Sequence, residues 1–173
     1  MGKRGRFVLS VVAVLGILLL LTLPVFTQQE KVPFPEDYRN WHYLKSMVIE
    51  EGHPLYSIVP GLHNVYFNDI AYKHLRSGSK EPYPQGSEVV FELFDVNKEK
   101  ASITTTRRTA VMVKHKDPKF GQTGGWGWEL FIMPKRERAV VEVDRQCADC
   151  HFRSREPHDA IWQKWEAVKE IAE

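Results

Sequence analysis

The sequence predicts an α+β domain in which helices flank an antiparallel β-sheet. Three observations lead there. Residues 88–95, 102–114 and 126–133 are strand-like in composition or alternation. Turn residues separate them at hairpin distances. Beyond a single turn at Glu36–Trp41, helical signals are confined to a short capped segment after Asn68 and to a stretch near the C-terminus. No internal repeat or low-complexity segment interrupts the pattern.

Taken in order, Lys3, Arg4 and Arg6 precede an uncharged apolar run from Phe7 to Phe26, long enough to cross a bilayer. Residues 1–29 therefore read as a signal peptide or, since no A-x-A site follows, as an uncleaved membrane anchor. The positive flank places the remainder outside the cytoplasmic membrane, in a periplasmic setting. Residues 30–173 suffice for one domain with a sizeable core. With Lys3, Arg4 and Arg6 set aside, 21 basic residues face 22 acidic ones, so the charge balance gives no sign of nucleic-acid binding.

Glu36–Trp41 reads as a helical turn, and residues 42–50 are ambiguous. Gly52, Pro54, Pro60 and Gly61 mark an irregular stretch. Leu62–Phe67 reads as a strand, and Asn68 as the N-cap of a helix over Asp69–Arg76 closed by Ser77-Gly78. After the turn Pro82–Gly86, Val89, Phe91 and Leu93 give the strand Glu88–Asp95 one apolar face. Asp117-Pro118 and three glycines lead into Trp126–Met133, and Ala139–Val143 reads as a last strand, for four or five strands in all. A tail helix is expected from about His158, carrying Ile161, Trp162, Trp165 and Val168.

Cys147-Ala148-Asp149-Cys150-His151 is a C-x-x-C-H run, the attachment pattern of a c-type haem. Two thiols three positions apart lie about one helical turn apart, where they can add to the two vinyl groups of a porphyrin, and His151 can ligate the iron. A zinc half-site would need a second pair of ligands, and the chain has no other cysteine. A dithiol redox pair would need a βαβ setting that the flanks do not suggest. The expected cofactor is one haem c held by Cys147 and Cys150, with His151 on the metal. Only 22 residues follow His151, and none is methionine, unlike the common soluble cytochromes c with their downstream methionine ligand.

With its haem motif last in a β-rich chain, the sequence resembles the cytochrome P-460 and cytochrome c′-beta family. The resemblance covers most of residues 36–165. It runs through Tyr38–Trp41, Val65–Asn68 with Tyr72, the Tyr83–Gly86 turn, Met112-Val113-Lys114, Gly125–Phe131 and the haem motif. In the P-460 branch a strand lysine is cross-linked to the porphyrin, and an acidic residue faces the open side of the iron during oxidation of hydroxylamine or nitric oxide. Phe91 stands at the lysine's position and Ala110 at the acid's, while Lys114 and Glu92 lie nearby but out of register.

The c′-beta branch lines the open face with phenylalanine, and Phe91 fits it. That likeness implies five-coordinate iron binding nitric oxide or a similar gas. His63 matches a position often basic in the family, where it could meet the ligand or close the sixth site, yet after Pro60-Gly61 it also reads as a surface histidine. Met112 is the other candidate sixth ligand, against an ordinary core role. A six-coordinate electron carrier is the remaining alternative. The expected partners are a diatomic gas or small nitrogen compound, a redox protein, the cytoplasmic membrane through residues 7–26, and a second copy of the chain.

Overall fold

A computed structural model of the chain describes residues 31–99, 102–139, 143–153 and 159–172. The expected N-terminal segment, residues 1–29, lies outside them. Among the described residues no helix is long and apolar enough to cross a membrane.

Among the described residues six strands form one antiparallel meander in chain order: β1 (His42–Ile49), β2 (Gly61–Phe67), β3 (Glu88–Glu99), β4 (Ser102–Lys116), β5 (Trp126–Ile132) and β6 (Glu137–Arg138). The ambiguous stretch after Trp41 is thus β1. Its register is set by β2, with His42 opposite Phe67 and Ile49 opposite Gly61. Gly61 has a φ of 100°, and a Cβ there would come 2.2 Å from the Phe94 carbonyl oxygen, so only glycine lets β2 close on β3 at this point. Beyond the body of the sheet, β3 and β4 continue as a ribbon that is exposed at Asn97–Glu99 and Ser102–Arg107.

The end of the chain departs from expectation. β6 is two residues long and pairs Glu137 and Arg138 with Ile132 and Phe131. Ala139 lies past its end, and Val143 opens a helix instead of closing a strand. Residues 140–142 are outside the described set. The tail helix begins at Trp165, not near His158. Trp162 precedes it outside any helix, and His158 is outside the described residues.

Three helices, α1 (Asp69–Arg76), α2 (Val143–Arg153) and α3 (Trp165–Ala172), contribute to the core on one face of the sheet. Ala71, Tyr72 and Leu75 from α1, Ala148 from α2 and Val168 from α3 bury against Val65, Phe67, Val89, Trp126 and Trp128. Val90, Val111, Val113 and Phe131 point to the opposite face, where Val32, Tyr38 and Met133 cover them and Phe34 and Trp41 add partly buried rings. Sheet alternation thus divides the molecule into a helical side and a side closed by the N-terminal stretch.

Candidate functional site

On the helical side the register lines up three rungs of side chains. Phe67, Val89, Lys114 and Trp128 form one, and Val65, Phe91, Met112 and Leu130 the next. His63, Leu93, Ala110 and Ile132 form the third. Successive rungs are about 7 Å apart, two strand residues. The predicted His63, Phe91 and Ala110 therefore share one face, and it is the face on which α2 sits.

α2 presents the C-x-x-C-H run to this surface. Ala148 is buried, Cys147 is half-buried against the core, and Cys150 is exposed. His151 reaches the first rung, with its ring 4.8 Å from that of Trp128. On another side it stacks on Trp162 at 3.9 Å and 14°. Its Nδ1 donates to the Ala160 carbonyl at 2.9 Å, and because a carbonyl can only accept, Nε2 is left unprotonated. Burial and the neighbouring Lys114 push the imidazole pKa down to about 3, so the ring is neutral.

Lys114 is the residue that sequence reasoning set aside as out of register. Its Nζ lies 3.0 Å from His151 Nδ1 and 3.3 Å from Nε2, and it donates to the Ala160 carbonyl at 3.1 Å. It also lies 4.4 Å from the centre of the Trp128 ring. Burial lowers its pKa to about 7, against the opposing pull of the Cys147 and Cys150 thiols. The even spacing of Ala110, Met112 and Lys114 is the signal that could have placed it on this face. Glu92, also set aside as out of register, does point to the opposite side, where Tyr38 meets it.

His63 is not a surface residue. It is fully buried, and neither ring nitrogen has a hydrogen-bond partner among the described residues. Its ring meets Phe91 edge-on at 4.8 Å. Burial lowers its pKa, outweighing the Pro60 and Val59 carbonyls nearby, neither of which closes a hydrogen bond of ordinary geometry. Ala110 is buried in the same rung, while Phe91, Met112 and Leu130 in the middle rung are only half-buried. Apolar side chains are therefore left partly open on the surface that faces the thiol helix.

The model of the cytochrome P460 family matches residues 35–163. The chain belongs to the cytochrome P460 family. A search of curated proteins found no match. As a cytochrome P460 it is a haem protein, and the family implies a covalently bound haem.

The residues present fit such a group in this cytochrome P460. Two thiols that form no disulfide with each other lie one turn apart on α2, beside a neutral imidazole whose unprotonated Nε2 suits a metal. Lys114 touches that nitrogen, and the Ala160 carbonyl is the partner its ammonium can keep if a metal claims Nε2. An open cleft beside the helix is lined by Gln146, Asp149, Cys150, Arg153 and Trp162, and so reaches one of the two thiols. Among the described residues, the two ring nitrogens of His63 are buried polar atoms on this face that no protein group satisfies.

Proposed function

We propose that the protein carries one haem c, joined through Cys147 and Cys150 with His151 as proximal ligand, and binds nitric oxide or a similar small gas on a five-coordinate iron. The observation that carries this reading is the neutral His151, fixed through Nδ1 and facing the same sheet surface as Phe91, Ala110 and His63. When bound, the haem supplies an iron coordination site to a diatomic ligand. The chain's own residues set the conditions there. Phe91 and Ala110 offer neither base nor donor, and His63, kept neutral by burial, carries the one N–H of the three that could meet a ligand. In this reading the domain works outside the cytoplasmic membrane, tethered through residues 7–26, and exchanges electrons with a redox partner.

The absorption spectrum of the reduced protein tests it. Addition of nitric oxide or carbon monoxide should shift the haem bands. Unchanged bands would mean a closed sixth position, with Met112 or His63 on the iron, and the protein would be an electron carrier.

One observation favours a second reading, oxidation of hydroxylamine or nitric oxide. His63 is a neutral imidazole with two unpartnered nitrogens and can act as a base. An unshifted pyridine haemochrome, together with no consumption of hydroxylamine or of nitric oxide in the presence of an electron acceptor, would rule it out.

A further inference from the structure

Two consecutive residues, Asp159 and Ala160, hold left-handed backbone conformations with φ of 46° and 63°. Side-chain-bearing residues adopt this region reluctantly, and an adjacent pair persists only where the surroundings over-determine it. Here they do. The Asp159 carboxylate accepts from Lys116 Nζ at 2.8 Å through both oxygens and from the Tyr83 backbone N–H at 2.7 Å. Both side chains of the ion pair are 12% exposed, so it is well shielded from water. Lys116 is itself anchored by the Gly124 carbonyl at 2.8 Å and lies 5.1 Å from the centre of the Trp126 ring.

The next peptide carries the consequence, because the Ala160 carbonyl is the acceptor for His151 Nδ1 at 2.9 Å and for Lys114 Nζ at 3.1 Å. Lys114 and Lys116 are two apart on β4, so one strand face supplies both grips: one on the Asp159 side chain, the other on the Ala160 carbonyl.

We infer that Asp159 is a positioning residue: clamped by Lys116 and the Tyr83 N–H, it holds a strained turn that aims the Ala160 carbonyl at His151 Nδ1 and so tunes the proximal ligand of the haem. The inference rests on the haem reading above. Donation from Nδ1 makes the imidazole a stronger electron donor to the iron, which favours the ferric state and lowers the reduction potential. Releasing the turn should raise the potential.

Charge alone predicts something different, and that difference is the test. Loss of a negative charge in Asp159→Asn raises the potential of a nearby iron, and loss of a positive charge in Lys116→Met lowers it. Loss of the clamp raises it in both. Each variant is made as the full chain, stained for covalent haem after denaturation, and titrated for its potential. The expected result is an upward shift in Asp159→Asn and in Lys116→Met, with Lys116→Arg restored toward the parent. A potential in Lys116→Met at or below the parent's overturns the inference while the haem reading stands. A parent without covalent haem overturns both.

Should Lys116→Met fail to accumulate, the His151 Nδ1 proton resonance of the Asp159→Asn holoprotein decides. Upfield movement and faster exchange support the clamp; an unmoved resonance overturns it.

Discussion

His63 is enclosed on every side, and both of its ring nitrogens lack partners among the described residues, so it weakens the fold it sits in. An unsatisfied buried polar group costs on the order of 1–3 kcal/mol. Replacing it with a somewhat larger ring that carries no polar atom, His63→Phe, should stabilise the protein by about 1 kcal/mol near pH 7.5, the half-buried Phe91 beside it having room to yield. The gain should grow in acid. Burial holds the folded pKa of His63 below its ordinary 6.5, so below that value the unfolded chain binds the extra proton, and the parent loses stability as pH falls. Phenylalanine does not titrate. Urea unfolding of parent and variant at about pH 7.5 and 5.5 checks this, and an advantage that shrinks in acid would contradict it. The same substitution removes the only ring N–H among Phe91, Ala110 and His63, so a weakened or faster-releasing gas complex in a more stable protein would mark His63 as retained for ligand binding.

Among the elements, α1 shows how one side chain can fix both a helix and its neighbour. Asn68 Oδ1 accepts from Ala71 N at 3.0 Å, capping the helix, and from Glu88 N at 3.1 Å, while Nδ2 donates to the Gly86 carbonyl at 2.8 Å. Cap removal alone costs about 1 kcal/mol, and the bonds to Gly86 in the turn and to Glu88 at the start of β3 add to it. Asn68→Ala should therefore lose about 2 kcal/mol in urea unfolding, with Asn68→Asp recovering the cap but not the Gly86 bond. This element was legible in the sequence because cap, helix and stop are local. So were β2 and the cores of β3, β4 and β5, where alternation or β-branched residues dominate. β1 was not, since His42, Lys45 and Ser46 break its pattern and its pairing with β2 decides its state. Val140 and Val141 suggested a strand, yet Val143 begins the helix that gives Cys147 and Cys150 their spacing. In the site, Cys147, Cys150 and His151 could be read from adjacency. Lys114, Asp159 and the burial of His63 depend on register and on a turn brought across from the far end of the chain, which no local pattern carries.

At the scale of the molecule, the sheet serves two masters: one face meets the thiol helix and the other is closed by residues near the start of the described chain. Glu92 joins the two parts. It is 1% exposed and lies beneath the N-terminal stretch, where Tyr38 donates to it at 2.6 Å. Arg39 pairs with it, and Arg108 reaches it at 3.3 Å from β4 while bonding Tyr38 at 2.8 Å. Burial pushes the Glu92 pKa up, but the hydrogen bonds from Tyr38, Arg39 and Arg108 outweigh it, and the folded value lies below the ordinary 4.5. Tyr38 is pushed the other way, by burial and by Glu92, and stays protonated. Arg39 and Arg108 are 55% and 26% exposed, so water can reach them when the carboxylate is gone. The cost of Glu92→Gln near pH 7 should then sit at the low end for a broken buried pair, about 3 kcal/mol. Its pH dependence follows from the sign of the shift. A depressed carboxyl pKa stabilises the fold above the unfolded value of 4.5 and ceases to do so as pH falls through the folded value. Glutamine carries no such dependence. The stability gap between parent and Glu92→Gln, measured by urea unfolding from pH 7 down past 4.5, should therefore narrow in acid, and a gap that stays constant would show that the network stabilises through packing and not through charge.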